Sequence, residues 1–339
     1  MRRMLGTLLV LLLGSLGVVS AAPAGRVNVM CSPNPPWCDA IRVEFPRATG
    51  IQLDFVRLSS GAALARLRAE RQNPTFDVWF GGTGDPHFVA NEEGVTEFYR
   101  PKVWNDLRED LREAVRGKYI PLYAGILGWI INPTVLKEKN LPAPRTWRDL
   151  AEPRYRGLIA YPNPNTSGTG YTMIATLVQI FGEAQAFDLL KRMHRNVIEY
   201  TSTGPATPLL VARGEGAIGI TFVHDAIDHQ IKGFPVDYGA PRDGTGYEIG
   251  GLSLVKGAPN RANAIAFIEW ALSPAAQVLA AERGESYQIP SNSKTTVPRI
   301  APRFQDFVVI KYDFPKYGTA AVRDALVKRW TSEVSTLPK

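Results

Sequence analysis

The chain has 339 residues, of which 45% are hydrophobic and 21% charged, and a formal net charge of +7. This balance excludes a disordered or low-complexity chain and leaves room for two lobes with real cores. The Lys and Arg residues form no dense run interleaved with aromatics, so nucleic acid is not an expected partner.

The N-terminus carries an export signal. Met1-Arg-Arg-Met4 is basic, Leu5 to Val19 is apolar, and Val19-Ser-Ala21 supplies the small residues of a cleavage site. The pattern predicts a signal peptide over residues 1–21, with an apolar core too short for a comfortable membrane span. Losing Arg2 and Arg3 leaves the mature chain at about +5 and roughly 318 residues. No later segment is long and apolar enough to cross a bilayer. Cys31 and Cys38 are the only cysteines. In an oxidising compartment they are expected to bond, closing the loop Ser32–Trp37.

Strand and helix patterns then alternate. Arg26–Met30 reads as a strand, followed by a helix from Asp39 to Phe45. Gln52–Val56 is a second strand, running into Leu58-Ser-Ser-Gly-Ala62 and a helix from Ala63 to Arg71. Phe76–Phe80 is a third, ending at Gly81-Gly-Thr-Gly84. In an open α/β sheet, ligands bind beyond the carboxyl ends of the strands. Ser32, Ser59, Ser60, Gly61, Gly82 and Thr83 all fall in such end loops and are candidate ligand contacts. Trp79 reads as core. Trp37 reads as a candidate for the cleft rim, and His87 stays open between roles.

Tyr119–Pro133 is long, apolar and strand-like, suited to crossing between lobes. Trp147–Leu150 reads as the start of a surface helix. Leu158–Tyr161 is a strand feeding Asn163-Pro-Asn-Thr-Ser-Gly-Thr-Gly-Tyr171, which runs into an apolar helix to Phe181. The first N–H groups of a helix have no internal partner and carry partial positive charge. Glycine lets a ligand approach the backbone, and Ser/Thr hydroxyls add donors. Ser167, Gly168 and Thr169 therefore read as an anion cradle without lysines. Ala184–Met193 is a helix, and Val197–Tyr200 is a strand feeding a second such turn, with Ser202, Thr203 and Gly204. For either turn alone, an ordinary helix cap is the alternative. Leu209–Arg213 is a helix closed by Gly214. Ala217–Val223 is a strand ending at His224 and Asp225. Tyr247–Val255 is a candidate return crossing that carries Glu248. Arg261–Leu272 is an amphipathic helix, and the residues beyond about 300 form terminal helices.

Four stretches carry a family resemblance: Tyr161–Gly170, Tyr200–Ala206, Val211–Ile220, and Gly244–Gly251 followed by Ala264–Trp270. In these the chain resembles the periplasmic solute-binding proteins of ABC importers, in the two-crossover class. It is most similar to the branch that binds ferric iron, aminoethylphosphonate or hexose phosphates. The resemblance implies an α/β, two-lobed type II fold with a hinged interlobe cleft. The implied lobes are residues 26–121 plus 250–300 and residues 122–249, with 301–339 a C-terminal helical tail. It also implies a periplasmic location, an inner-membrane ABC permease as partner, a monomer and no cofactor.

Residue chemistry then bears on the ligand. Ferric binders of this branch hold iron with adjacent tyrosines, whereas this chain has Tyr200-Thr201 followed by Ser202. Hydroxyl donors in place of anionic ligands favour an anion, although Tyr171 alone remains open as a metal ligand. In the hexose-phosphate binders a His-Asp pair and a later Glu hold sugar hydroxyls. His224, Asp225 and Glu248 match that arrangement. They could equally hold the amine of an aminophosphonate, and a helix cap or hinge salt bridge is the plainer alternative. The expected function is capture of a small phosphorylated or phosphonate anion, hexose phosphate favoured, with ferric iron as the alternative. A secreted phosphatase is disfavoured, because Ser167 lies in no Gly-x-Ser-x-Gly elbow and the adjacent His224 and Asp225 cannot form a relay. No catalytic residue is expected.

Overall fold

The computed structural model describes residues 25–339. The leader expected over 1–21 lies outside them. The chain opens with β1 (Arg26–Cys31) and α1 (Pro35–Thr49). The helix starts four residues before the expected Asp39. Proline fits a helix's first turn, where its missing N–H would have had no partner. Gly50 ends α1 in the left-handed conformation (φ 74°), its N–H donating to Pro46 O at 2.8 Å. Cys31 and Cys38 form the expected disulfide, which ties the end of β1 to the first turn of α1.

Next come β2 (Gln52–Arg57), α2 (Ser60–Ala69), β3 (Val78–Phe80), α3 (Gly84–Glu92), β4 (Thr96–Glu97) and α4 (Glu109–Val115). Buried Asp77 accepts from the backbone N–H groups of Asn28 and Asn260, both at 2.7 Å, and so fixes the start of β3 beside β1. The long apolar run becomes β5 (Ile120–Ile131), all twelve residues of it buried. After α5 (Pro133–Glu138), the helix expected at 147–150 is only a 3-10 turn, Arg148–Ala151, and Trp147 is core. Its indole N–H donates to Gly244 O at 2.8 Å, which anchors the turn inward.

Alternation resumes with β6 (Ile159–Pro162), α6 (Gly168–Phe181), α7 (Glu183–His194), β7 (Val197–Thr201), α8 (Ala206–Ala212), β8 (Ile218–Phe222), α9 (Val223–Ile231), β9 (Asp237–Gly239) and β10 (Tyr247–Val255). The chain closes with α10 (Arg261–Ala271), α11 (Pro274–Gln277), α12 (Leu279–Glu282), β11 (Ile289–Pro290), α13 (Phe314–Tyr317) and α14 (Ala320–Glu333). Among the described residues no single helix is long and apolar enough to cross a membrane.

The strands run in the order β2-β1-β3-β10-β5-β8-β6-β7. β1, β2 and β3 are mutually parallel, as are β6, β7 and β8. Two antiparallel strands join these groups. β5 pairs with β10 through Ile126 and with β8 from Leu127 onward. The same continuous strand thus serves both sheet halves; one apolar cluster packs on the β1–β3 half, and the larger one, centred on the β6–β8 half, also takes in Phe88, Leu111 and Val115. This is the two-lobed α/β architecture expected. The carboxyl ends of both parallel groups face the seam between the lobes, and the loops that follow them line one cavity.

Candidate functional site

The cavity holds about 420 Å³ of empty space, counting its mouth. Four helix starts supply most of its Ser, Thr and Gly lining. Ser59 and Ser60 begin α2, Gly82 and Thr83 precede α3, Ser167 to Thr169 begin α6, and Thr203 to Pro205 precede α8. Each presents backbone N–H groups that lack an intrahelical partner. Of the fifteen residues expected from sequence, thirteen line this space: Ser32, Ser59, Ser60, Gly82, Thr83, Ser167, Gly168, Thr169, Thr203, Gly204, His224, Asp225 and Glu248.

Gly61 and Ser202 do not line it. The Gly61 N–H donates to Thr166 O at 3.0 Å, beside Ser59 Oγ, which donates to the same oxygen at 2.7 Å. Gly61 thus holds the two lobes together across the cleft and does not face its interior. Ser202 is exposed, and its carbonyl accepts from Thr166 Oγ1 at 2.9 Å, which turns the residue outward. Trp37 is also not a cleft-rim residue. It is buried against Phe80 and Tyr123. Trp79 is core, as expected, and His87 stacks on it at 3.6 Å between ring centres. Sequence reading missed Arg57, Tyr123 and Gln288, which line the cavity along with Pro33, Asn34, Pro205 and Phe222. Arg57 could have been found, because it ends β2 at the same edge of the sheet where Ser32 follows β1 and Gly82 follows β3.

One end of the cavity is built from primed donors. Trp79 Nε1–H donates to Ser32 Oγ at 2.8 Å, Thr83 N–H to Ser60 Oγ at 3.1 Å, and Gly82 N–H to Tyr123 OH at 2.9 Å. In each case a fixed N–H takes up acceptor capacity of the hydroxyl and leaves its own proton to point elsewhere. Burial, helped by the charge of Glu248, raises the Tyr123 phenol and keeps it protonated. Thr83 Oγ1 is buried with no protein partner, as a group reserved for a ligand would be. Gly82 makes this packing possible. Its φ of 86° is left-handed, and a Cβ there would lie 2.4 Å from Ser60 Oγ.

The other end is rich in acceptors. Asp225, in the first turn of α9, accepts from Thr221 Oγ1 at 3.1 Å. His224 Nε2 lies 3.5 Å from Asp225 Oδ1 and 3.9 Å from Glu248 Oε1. Gly125 on β5 creates the room, since a Cβ there would lie 2.6 Å from the imidazole and 3.1 Å from Glu248. Burial raises Asp225 to about 7 and lowers His224 to about 3. Burial, and then repulsion by Asp225 and Asp85, pushes Glu248 well above its usual range. Burial also lowers the Arg57 guanidinium, and the charge of Asp225 counters this. Among the described residues no group of three His, Cys, Asp or Glu side chains is placed to hold a metal ion.

Comparison with known proteins places this geometry. Residues 73–316 match the model of the bacterial extracellular solute-binding proteins. The chain belongs to that family. This solute-binding protein is 40% identical over 329 residues to an uncharacterised protein of Haemophilus influenzae, covering 96% of this chain and 95% of the relative. It is 29% identical over 262 residues to a Salmonella typhi protein named for 2-aminoethylphosphonate binding, covering 74% of this chain and 73% of the relative. Among solved structures it is similar to the periplasmic binding protein AfuA from Actinobacillus pleuropneumoniae with fructose-6-phosphate bound. That match has 36% identity and a TM-score of 0.91, and it covers 93% of this chain and 100% of AfuA.

The buried carboxyls give the ligand-free binding protein a pH signature. Asp225 and Asp85 are both held near 7, against 3.8 ordinarily, with burial the main cause. In the folded state they bind protons more tightly than in the unfolded chain, so their contribution is complete below about 4 and is lost as pH rises through about 7. His224 and His87, both lowered to about 3, oppose this only below 6.5. The melting temperature of ligand-free protein is therefore expected to fall between about pH 6.5 and 8. Asp225→Asn should flatten that fall, and an unchanged slope in this variant would contradict the assignment.

Proposed function

We propose that this solute-binding protein captures a small organic phosphate or phosphonate in the periplasm, hexose phosphate favoured, and presents it to an inner-membrane ABC permease as a monomer. Its lobes are residues 26–121 with 250–300 and residues 122–249, with 301–339 a helical tail, and they close over the ligand like a hinged clamp. The observation that carries the reading is the polarity of the cavity. Three hydroxyls primed as donors and several helix starts line it together with the acceptor carboxyls of Asp225 and Glu248. A ligand with an anionic head and a hydroxyl-bearing body matches both ends, and a carboxylate accepts from two hydroxyls at once. AfuA, 36% identical, with fructose-6-phosphate bound, supports the same class. The relative named for 2-aminoethylphosphonate supports the phosphonate variant, in which an amine would meet the carboxyls.

Ferric iron fits less well. Tyr171 OH donates to Tyr317 O inside the core, and Tyr200 OH lies 2.6 Å from His194 Nδ1. Both phenols are committed away from the cavity.

A melting panel on ligand-stripped mature protein tests the proposal. Hexose phosphates, aminoethylphosphonate, inorganic phosphate, the parent sugars and ferric citrate are the arms. Ligand at a hundred times its Kd stabilises by about 2.7 kcal/mol, which a melt resolves. A shift with a phosphorylated organic but not its parent sugar is expected. A shift with ferric citrate alone would overturn the reading, and release of inorganic phosphate from the ester would indicate an enzyme.

A further inference from the structure

Gln288 reaches the acceptor end from a segment remote in sequence. It follows α12 and precedes β11, which pairs with β5. Ser286 and Gln288 are both buried. Ser286 Oγ donates to Gln288 Oε1, which fixes the orientation of the amide. The Gln288 Nε2–H group is thereby aimed at His224 Nε2, 3.2 Å away. That ring nitrogen is the one facing Asp225 and Glu248.

We infer that Gln288 is a positioning residue that keeps His224 neutral and so leaves Asp225 and Glu248 free to accept hydrogen bonds from the ligand. The inference rests on the organophosphate reading of the cavity. A protonated His224 would lie within ion-pair reach of both carboxyls and would compete with the ligand for them. Donation from the Gln288 amide occupies the lone pair where that proton would bind, and it places the ring proton on Nδ1. Apart from burial, the charged surroundings favour the imidazolium or act only on the carboxyls. Asp225 comes from the same helix as His224 and Glu248 from β10, and both favour the imidazolium. Arg57 acts on Asp225 by attraction and Asp228 by repulsion, Asp85 acts on Glu248 by repulsion, and the protonated Tyr123 phenol carries no charge. The ring of Phe222 stacks parallel to the imidazole at 5.6 Å and contributes no charge. Burial of His224 opposes protonation in the same direction as Gln288 does.

The experiment is ¹⁵N NMR of histidine-labelled, ligand-free protein, with His224 assigned from His224→Gln. In the unaltered protein His224 is expected to stay neutral from pH 5 to 8, with its proton on Nδ1. Gln288→Met keeps the volume but removes the donor, and it should move the proton to Nε2. Gln288→Glu adds a third carboxyl and should give an imidazolium at neutral pH. In Gln288→Glu the Kd for a hexose phosphate should rise about tenfold, the loss of one hydrogen bond to a charged group. The Kd for inorganic phosphate should change far less. A charged His224 in the unaltered protein, a proton on Nε2 there, or an unchanged ring in both variants would overturn the inference. Failure of the unaltered protein to bind any organophosphate would instead overturn the proposed function, and the NMR result would stand apart from it.

Discussion

Gly168→Ala is expected to abolish ligand capture while leaving the protein folded. Gly168 starts α6 beyond β6, and Thr83 precedes α3 on the opposite lobe. A Cβ at 168 would lie 1.7 Å from Thr83 Oγ1 and 2.8 Å from Thr83 Cβ, far inside contact distance. The lobes cannot close with both side chains present. The fold of each lobe is not threatened. Alanine fits the first turn of a helix, so the stability of the lobe should hold. A loss of more than a hundredfold in affinity, or about 2.7 kcal/mol, is expected by calorimetry. Small-angle scattering should show the same open form with and without ligand. Thr83→Gly in the same chain removes the opposing atoms and should restore part of the closure. Ordinary affinity in Gly168→Ala would mean that the closed contact is not the binding state.

Asp225→Ala separates the two ends of the cavity. If the carboxyl holds hydroxyls, the hexose phosphate loses hydrogen bonds to a charged group worth about 1.5–3 kcal/mol each, so Kd should rise by at least tenfold. Inorganic phosphate reaches only the donor end at Ser32, Ser60 and the helix starts, so its Kd should change by less than about threefold. Asp225 sits beside His224 and accepts from Thr221, so its removal also relaxes the acceptor cluster. That relaxation does not reach Ser32 or Ser60, which are held by Trp79 and Thr83 on the other lobe. Equal losses for both ligands would argue against a hydroxyl-holding role.

The parts of this site legible in sequence are those written in local chemistry. A strand followed by Ser, Thr or Gly and then a helix pattern announces both a helix start and its place at the edge of the sheet. That is why Ser60, Thr83, Gly168 and Thr169 are legible in the sequence. The misses share a different cause. Tyr123 lies inside an apolar strand, and only the pairing of β5 with β10 brings its hydroxyl to Gly82. Gln288 depends on β11 pairing with β5 across more than 160 residues. Ser202 and Gly61 had the right local signature, but Thr166 takes up both: its hydroxyl holds the Ser202 carbonyl within one lobe, and its carbonyl accepts from the Gly61 N–H across the cleft, a contact that exists only once the lobes meet. The start of α1 differs from the expected Asp39 because Pro35 and Pro36, a loop signal within a chain segment, form a helix's first turn here. Local pattern thus predicts which loops supply the site. Long-range pairing decides which side chains turn into it.

The most direct test of the account is calorimetric titration of ligand-stripped protein with a hexose phosphate and, separately, with the parent hexose. The account predicts tight, one-to-one binding of the phosphate ester, recovered unhydrolysed, and no measurable binding of the parent sugar. Equal binding of both, or binding of neither alongside tight binding of ferric ion, would contradict it.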